Sequence, residues 1–528
     1  MDYLFRNIRV IDGSGKPSFT GNVGILGERL LLNPQENTAD TVINGDGLHI
    51  CPGFIDVHSH GDQTIGMFPM QLSKVSQGIT TQIAGQCGST AFPINHNNLA
   101  LHKELISIGT YNFPDDMVNW HGLEQFRSFV ERTPMVVNMK TFTGHSTLRV
   151  AVMGYDHRRP TVSQLNKMQS LFEETLQFGS MGLSTGLIYP PGNYGSTEEI
   201  IEIAKVAKEY GGFYATHVRN ESDDIVAAVA EALRVGKEAE IPICISHHKV
   251  CGIRNWGKSK ETLTLIHKAI DEGVQVTIDQ YPYTANSTHL NAVIPPKYFR
   301  AGVTEMTEKL KKPVVREQIR KEMQMPGTYD NFYLNSGGFD GIFISGCSIT
   351  KQYDGMFVSE LAKKQGKDPF DALFDLLIEN EGKVNAIYHC IGEEDCCRII
   401  SDCNTCIGTD GTCRTLTEQT HPRTFGAFPR AINHYVKELK LLSLEEMIYK
   451  MTGLAAERMR LHNRGIIANG NIADLVVFDY NTIRDIADYT FSTRLSDGVC
   501  YVFVNGKLAY TKGAVTNSYS GRFIPHHK

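Results

Sequence analysis

The sequence predicts an α/β protein: a closed (β/α)8 barrel of the TIM type, a small β-sandwich built from both chain ends, and an inserted, lid-like segment. Three observations predict it. From about residue 51 to 460, short apolar strands alternate with helical stretches such as STEEIIEIAKVAKEYG (196–211) and SKETLTLIHKAIDEG (259–273). Repeated alternation means parallel strands with right-handed crossovers, and at this length a closed barrel is the favoured solution. The two chain ends read instead as short strands with turn signals. Between about 300 and 400 the rhythm is interrupted by Pro313, Pro326 and the Gly337-Gly338 stretch.

In chain order, the N-terminal segments LFRNIRVID, GNVGILGERLLL and DTVINGDGLHI are strand-like, as are ADLVVFD (473–479) and VCYVFVNGKLAYTKGAV (499–515) near the other end. The last holds Asn505-Gly506, a two-residue hairpin signal. Two β segments from opposite ends most simply form one unit, which divides the chain into 1–51 and 463–528 for the sandwich and 52–462 for the barrel. Within the barrel, Ser196 with Glu199 three residues on has the form of a capping box, and Gly211 sits where that helix stops. The interruption at 300–400 reads as a lid over a pocket or as a packing elaboration.

Composition narrows the function classes. The 528 residues carry a net charge of −6, with Lys and Arg scattered among Asp and Glu, so nothing favours nucleic acid or an anionic membrane surface. The start MDYLFRNIRVIDG lacks the basic and apolar regions of a signal peptide, and no run of about 18 apolar residues occurs. A cytoplasmic protein is expected. Twelve cysteines at this length are too sparse for a disulfide framework, so reduced thiols are the default. Six of them fall within 390–413, where Cys403 and Cys406 form a CxxC with no second pair at finger spacing.

The chemistry is carried by an ordered series of metal-ligand residues. PGFIDVHSHGD (52–62) ends an apolar run with His58 and His60 two positions apart, so that on a strand both imidazoles face one spot. Cys87 follows in GITTQIAGQCGST (78–90), His217 in GGFYATHVRNES (211–222), His247 in IPICISHHKVCG (241–252) and Asp410 in TCIGTDGT (405–412). Each stands where an apolar strand gives way to a turn. Taken singly, a histidine is more often a hydrogen-bonded structural residue and a cysteine a small buried hydrophobe. Together they supply four imidazoles, a thiolate and a carboxylate at successive strand ends, the donor set of a divalent transition metal.

At these residues the chain resembles the amidohydrolase superfamily and, within it, the D-aminoacylase (N-acyl-D-amino-acid deacylase) family. The matching segments also include TGHSTLR (143–149), GSMGLSTGLIYPPG (179–192), IDQYPYTANST (278–288), HPRTFGAFPR (421–430) and the closing GIIANGNIADLVVFD. HxH and TDG are shared widely across the superfamily; the combination of QCG, SHHK, DQYPY and HPR is much narrower. The resemblance implies one metal position at His58, His60 and Asp410 and another at His217 and His247, with Cys87 able to bridge. It implies one tightly held zinc at Cys87, His217 and His247, with a second, weaker position. Cys87 takes the place of a carboxylated lysine in many relatives, and His247 is preferred over His248.

A metal of this kind polarises an amide carbonyl and activates water at neutral pH, and Asp410 is the group to take the attacking proton and pass it to the leaving amine. The resemblance implies hydrolysis of a small-molecule N-acyl-D-amino acid to a carboxylate and a free D-amino acid. Arg423, Lys249, Tyr281 and Ser287 are then the candidates to hold the substrate α-carboxylate, and Tyr189 a donor to the carbonyl oxygen. His145 stands open between a pocket residue and a structural histidine. Side-chain preference falls to loops around 90–120 and 284–300 and to the insertion, and chain-end segments in the superfamily often support homo-oligomers. Two alternatives remain: a cyclic amidase of the dihydropyrimidinase or hydantoinase kind, and an inactive scaffold of the same fold.

Overall fold

The computed structural model describes residues 1–106, 118–327, 329–511 and 513–527; part of the 90–120 loop lies outside them. Eight strands form the barrel: β1 (Phe54–Asp56), β2 (Ile79–Ala84), β3 (Asn138–Thr141, resuming at Thr143–Gly144), β4 (Gly182–Gly186), β5 (Phe213–His217), β6 (Ile243–Ile245), β7 (Val276–Gln280) and β8 (Thr405–Ile407). Each pairs in parallel with the next. The ring closes just past the ends of β8 and β1, where Ser59 bridges Gly411, the Asp410 N–H donates to the His58 carbonyl at 2.9 Å and the His60 N–H to the Gly411 carbonyl at 3.1 Å. Three of the six candidate ligands therefore lie on the closing seam.

Barrel strands such as Ile79–Ala84 are buried along their whole length, Thr80, Thr81 and Gln82 included, which is why they are rich in β-branched residues and show no polar alternation. Crossover helices cover them. The Ser196 hydroxyl accepts the Glu199 N–H at 3.2 Å, but the capping box is left half-made because the Glu199 carboxylate turns inward to Arg149 and His145. The helix runs as α over Thr197–Ala204, tightens to 3₁₀ over Lys205–Tyr210 and stops at Gly211, whose φ of 64° is the left-handed cap.

The insertion lies between β7 and β8 and begins earlier than the sequence indicates. It is built on a four-stranded antiparallel sheet in the order Asn286–His289, Val384–Tyr388, Ile342–Cys347, Met356–Phe357. Its core residues Phe332, Ile344, Phe370 and Leu377 belong to one buried apolar cluster with Tyr281, Tyr283 and Phe428 of the barrel. It is thus a packed layer over the barrel mouth.

The chain ends join in one nine-stranded sheet, with His49–Pro52 antiparallel to Leu475–Phe478. The Phe5 and Phe503 ring centroids are 5.7 Å apart although two strands separate theirs in the sheet. Three strand spacings amount to about 14 Å, so the sheet must curl over its own core to bring them together. The hairpin at Asn505-Gly506 forms, both residues at positive φ as a two-residue turn of the primed type requires.

Candidate metal centre

The backbone delivers the ligand residues to one place. His58 and His60 lie beyond β1, not on it, yet their Nε2 atoms both face Asp410 Oδ1, at 3.6 and 3.2 Å. Cys87, His247 and Asp410 take left-handed backbone conformations, with φ of 53°, 34° and 47°. For residues other than glycine this costs on the order of 1–2 kcal/mol each, and such strain persists where surrounding structure over-determines it. Each turns sharply at a strand end and sends its side chain across the barrel mouth.

Among the described residues two ligand groups result, overlapping at His247. In His58, Cys87, His247 and Asp410 the ligand atoms lie within 4.8 Å of one another, as they do in His217, Glu221 and His247. Cys87 Sγ is 3.4 Å from His58 Nε2 and 3.2 Å from His247 Nε2. Buried His217 has no hydrogen-bond partner on either ring nitrogen, and His60 has none on Nδ1. Buried polar atoms are normally satisfied, and a thiolate, imidazoles and carboxylates converging without enough partners fit zinc.

Two further carboxylates orient the imidazoles. Both oxygens of Asp279 lie 3.1 Å from His58 Nδ1, and Glu221 Oε1 lies 3.2 Å from His247 Nδ1. Each leaves Nε2 pointing at Cys87, the arrangement by which outer carboxylates fix histidine ligands. Asp279 also accepts the His247 N–H at 2.8 Å. Beneath Asp410, Asp56 accepts the Thr409 N–H and hydroxyl at 2.8 and 2.7 Å and the Lys74 ammonium at 2.7 Å, and Lys74 donates on to the Gly411 carbonyl at 2.9 Å. Glu221, Asp279, Asp56 and Lys74 do not stand out in the sequence as site residues. The available signals were the His217-x-x-x-Glu221 spacing and acidic residues at the ends of β1 and β7.

The charges alternate. Burial alone raises the Cys87 thiol, but the His247 and His58 imidazoles outweigh it and hold it well below the ordinary thiol range. Burial likewise works against Asp410 and Glu221; Arg423 and His247 hold the former, and His217 and Lys249 the latter, well below the usual carboxylate range. For His60 burial is outweighed by Asp410 and Cys87, which lift it to about 9.

A model of the amidohydrolase family matches residues 41–510. The chain belongs to the amidohydrolase family. A D-aminoacylase of Alcaligenes xylosoxydans xylosoxydans is 35% identical to it, over 99% of this chain and 97% of its own length. Among solved structures, an N-acyl-D-glutamate deacylase from Bordetella bronchiseptica, complexed with zinc and a phosphonate inhibitor, superposes with a TM-score of 0.83 at 28% identity over 99% of both chains. A D-aminoacylase with a binuclear metal centre, described by one-metal activation and second-metal attenuation, superposes at 0.82 with 34% identity over 99% of both chains. The expected fold, the barrel with its end-built β unit and insertion, is that of these relatives.

In this amidohydrolase the ligand cluster opens into a cavity of about 1110 Å³ lined by His60, Cys87, Tyr189, His217, Lys249, Tyr281 and Arg423, with Ser287, Phe332 and Asn385 contributed by the insertion. Arg423 Nη1 stands 2.9 Å from Asp410 Oδ2, and its guanidinium lies 4.6 Å from the Tyr281 ring centroid. Lys249 Nζ is 2.8 Å from His247 Nδ1 and bonds to Glu221. The Tyr281 hydroxyl is buried without a partner, and the Tyr189 ring packs 5.2 Å from His217.

Ser287 departs from its expected use. Its hydroxyl donates to the Ala386 carbonyl at 2.9 Å, and its own carbonyl accepts from Arg423 Nη2 at 3.3 Å, so it holds the arginine by backbone while its side chain ties the inserted sheet. His145 resolves to the structural reading: its Nε2 lies 2.9 Å from Glu199, itself paired with Arg149 at 2.7 Å, all three buried. Cys403 and Cys406 join no metal-ligand group among the described residues.

Proposed function

We propose that this amidohydrolase is a zinc-dependent deacylase of N-acyl-D-amino acids, releasing a carboxylate and a free D-amino acid. The observation that carries the reading is the placement of two cations, Arg423 and Lys249, around Tyr281 in the cavity that holds the Cys87 cluster. A substrate with a free carboxylate next to its scissile amide needs that pairing. Relatives across nearly the whole chain, named D-aminoacylase, N-acyl-D-aspartate deacylase and N-acyl-D-glutamate deacylase, support it.

Cys87, His217 and His247 would hold the tightly bound zinc, and His58, His60 and Asp410 a second, weaker position. When bound, zinc supplies Lewis-acid polarisation of the amide carbonyl and activation of water. Arg423 offers a fork of N–H donors to the substrate carboxylate, with Lys249 and the Tyr281 hydroxyl as further donors. To do so it must share or release Asp410. Asp410 takes the attacking water's proton on its carboxylate and returns it to the amine nitrogen as the C–N bond breaks. Tyr189 donates its hydroxyl to the carbonyl oxygen, and the insertion covers the cavity on the side of the barrel mouth.

The cellular setting follows the chemistry of the thiols. All twelve cysteines are unpaired, as in a reducing compartment, and no helix among the described residues is long and apolar enough to cross a membrane. We place the protein in the cytoplasm. The function is tested by amino-acid release from matched N-acetyl-D and N-acetyl-L amino acids alongside hydantoin and dihydrouracil. Release from the D series alone supports the reading; opening of the cyclic amides, which carry no carboxylate for Arg423, contradicts it.

A further inference from the structure

Asp330, a buried carboxylate of the insertion, reaches down to the loop after β5. Its Oδ2 accepts the Glu221 backbone N–H at 2.8 Å, and its Oδ1 accepts the Ser222 hydroxyl and the Asn335 side-chain amide, each at 2.7 Å. The Glu221 carbonyl accepts the Cys251 N–H at 2.7 Å. The main chain of Glu221 is thereby pinned on one side by the insertion and on the other by the loop that carries His247 and Lys249. Its Oε1 stands 3.5 Å from His217 Nε2 and 3.2 Å from His247 Nδ1, and bonds to the Lys249 ammonium.

The choice of an ionised side chain at 330 is informative. Two oxygens take three donors there; an asparagine keeps one acceptor oxygen, so it can hold the Glu221 N–H only if the Ser222 and Asn335 hydrogen bonds reverse to accept its amide N–H. Asp330 also brings a second carboxylate into buried surroundings beside Glu221, which costs free energy that a purely packing contact would avoid. No such cost is needed merely to close a lid.

We propose that Asp330 is a positioning residue: it fixes Glu221 and, through Glu221, the ring of His247 and the ammonium of Lys249, so that the insertion completes the metal centre as well as covering it. This rests on the metal positions and carboxylate clamp assigned above.

The test is zinc affinity of the full-length protein, measured by competition with a chromophoric chelator, for wild type, Asp330→Asn, Glu221→Gln and the double variant. Outer-shell partners of metal ligands contribute about 10- to 100-fold in affinity; Asp330 stands one step further out, behind Glu221, so Asp330→Asn is expected to weaken zinc by no more than about tenfold. Because Asp330 acts through Glu221, the double variant is expected to bind no more weakly than Glu221→Gln alone. Unchanged affinity in Asp330→Asn, or a full further loss in the double variant, overturns the proposal. Should Asp330→Asn fail to fold, Asn335→Ala, which withdraws one donor from Asp330, is expected to weaken zinc in the same direction, and unchanged affinity there overturns it equally. A wild type that binds no zinc overturns the metal reading itself; a wild type that binds zinc with every variant alike overturns only the positioning role.

Discussion

Arg423 and Asp410 face each other as an ion pair, Nη1 to Oδ2 at 2.9 Å, within the cavity that contains the ligand cluster. One guanidinium therefore neighbours both the assigned proton carrier and the space for a substrate carboxylate. Its planar fork can turn a different N–H edge to each, a paired geometry that an ammonium does not offer.

Arg423→Lys keeps the charge and loses the fork. Hydrogen bonds to charged groups are worth about 1.5–3 kcal/mol, so KM for the N-acetyl-D-amino acid is expected to rise by about tenfold or more, with kcat falling less. Steady-state kinetics decide it, and an unchanged KM would remove Arg423 from the clamp.

Zinc binding should release protons. In the metal-free protein His60 is lifted to about 9, burial being outweighed by Asp410 and Cys87, so at neutral pH its ring carries a proton that a metal at that position must displace. Apparent affinity at the His58, His60 and Asp410 position falls as pH drops below about 9, by up to about tenfold per unit for each proton displaced. Calorimetry in two buffers of different ionisation enthalpy reads the release directly; no release on filling this position would contradict the assignment.

The fold itself should weaken in mild acid. Burial holds His102 down to about 4 against an ordinary 6.5, so between those values the unfolded chain binds a proton that the folded chain refuses. Stability is therefore lost as pH falls from about 6.5 toward about 4, by about 3 kcal/mol for this group at most. Urea unfolding of wild type and His102→Gln at pH 7 and pH 4.5 measures it: the variant is expected to lose less on acidification, and identical losses would contradict the claim.

Lys74 and Asp56 form a buried pair, 1% and 0% exposed. Removing one partner of such a pair costs about 3–5 kcal/mol, so Lys74→Met is expected to destabilise the protein by that order and to disturb the Thr409-Asp410-Gly411 turn that the pair supports. A loss below about 1 kcal/mol in urea would show the pair to be dispensable.

The barrel and its ligands were legible because both announce themselves locally. The barrel strands are short, buried segments without polar alternation, and His58, Cys87, His217, His247 and Asp410 stand at or just past their ends, where the chain must turn. What escaped depends on partners distant in sequence. Glu199 has the right spacing for a capping box, but Arg149 and His145, 50 and 54 residues away, take its carboxylate. Ser287 looks like a free hydroxyl until the inserted sheet pairs it with Ala386. Asp279 matters because the barrel closes and brings β7 to His58 beyond β1, and Glu221 because the neighbouring strands β5 and β6 pair and bring it to His247. The insertion was placed late because its first strand, Asn286–His289, is short and polar and gives no apolar period.

The central claim is that zinc at Cys87, His217 and His247 makes this protein a D-selective deacylase. Its most direct test is to titrate metal-free protein with zinc while following D-amino-acid release from an N-acetyl-D-amino acid, with Cys87→Ala as the control. Activity is expected to reach its maximum at one zinc per chain, the L substrate to stay uncleaved, and Cys87→Ala, still folded, to gain nothing. Zinc bound with no release from the D substrate, or equal release by Cys87→Ala, would contradict it.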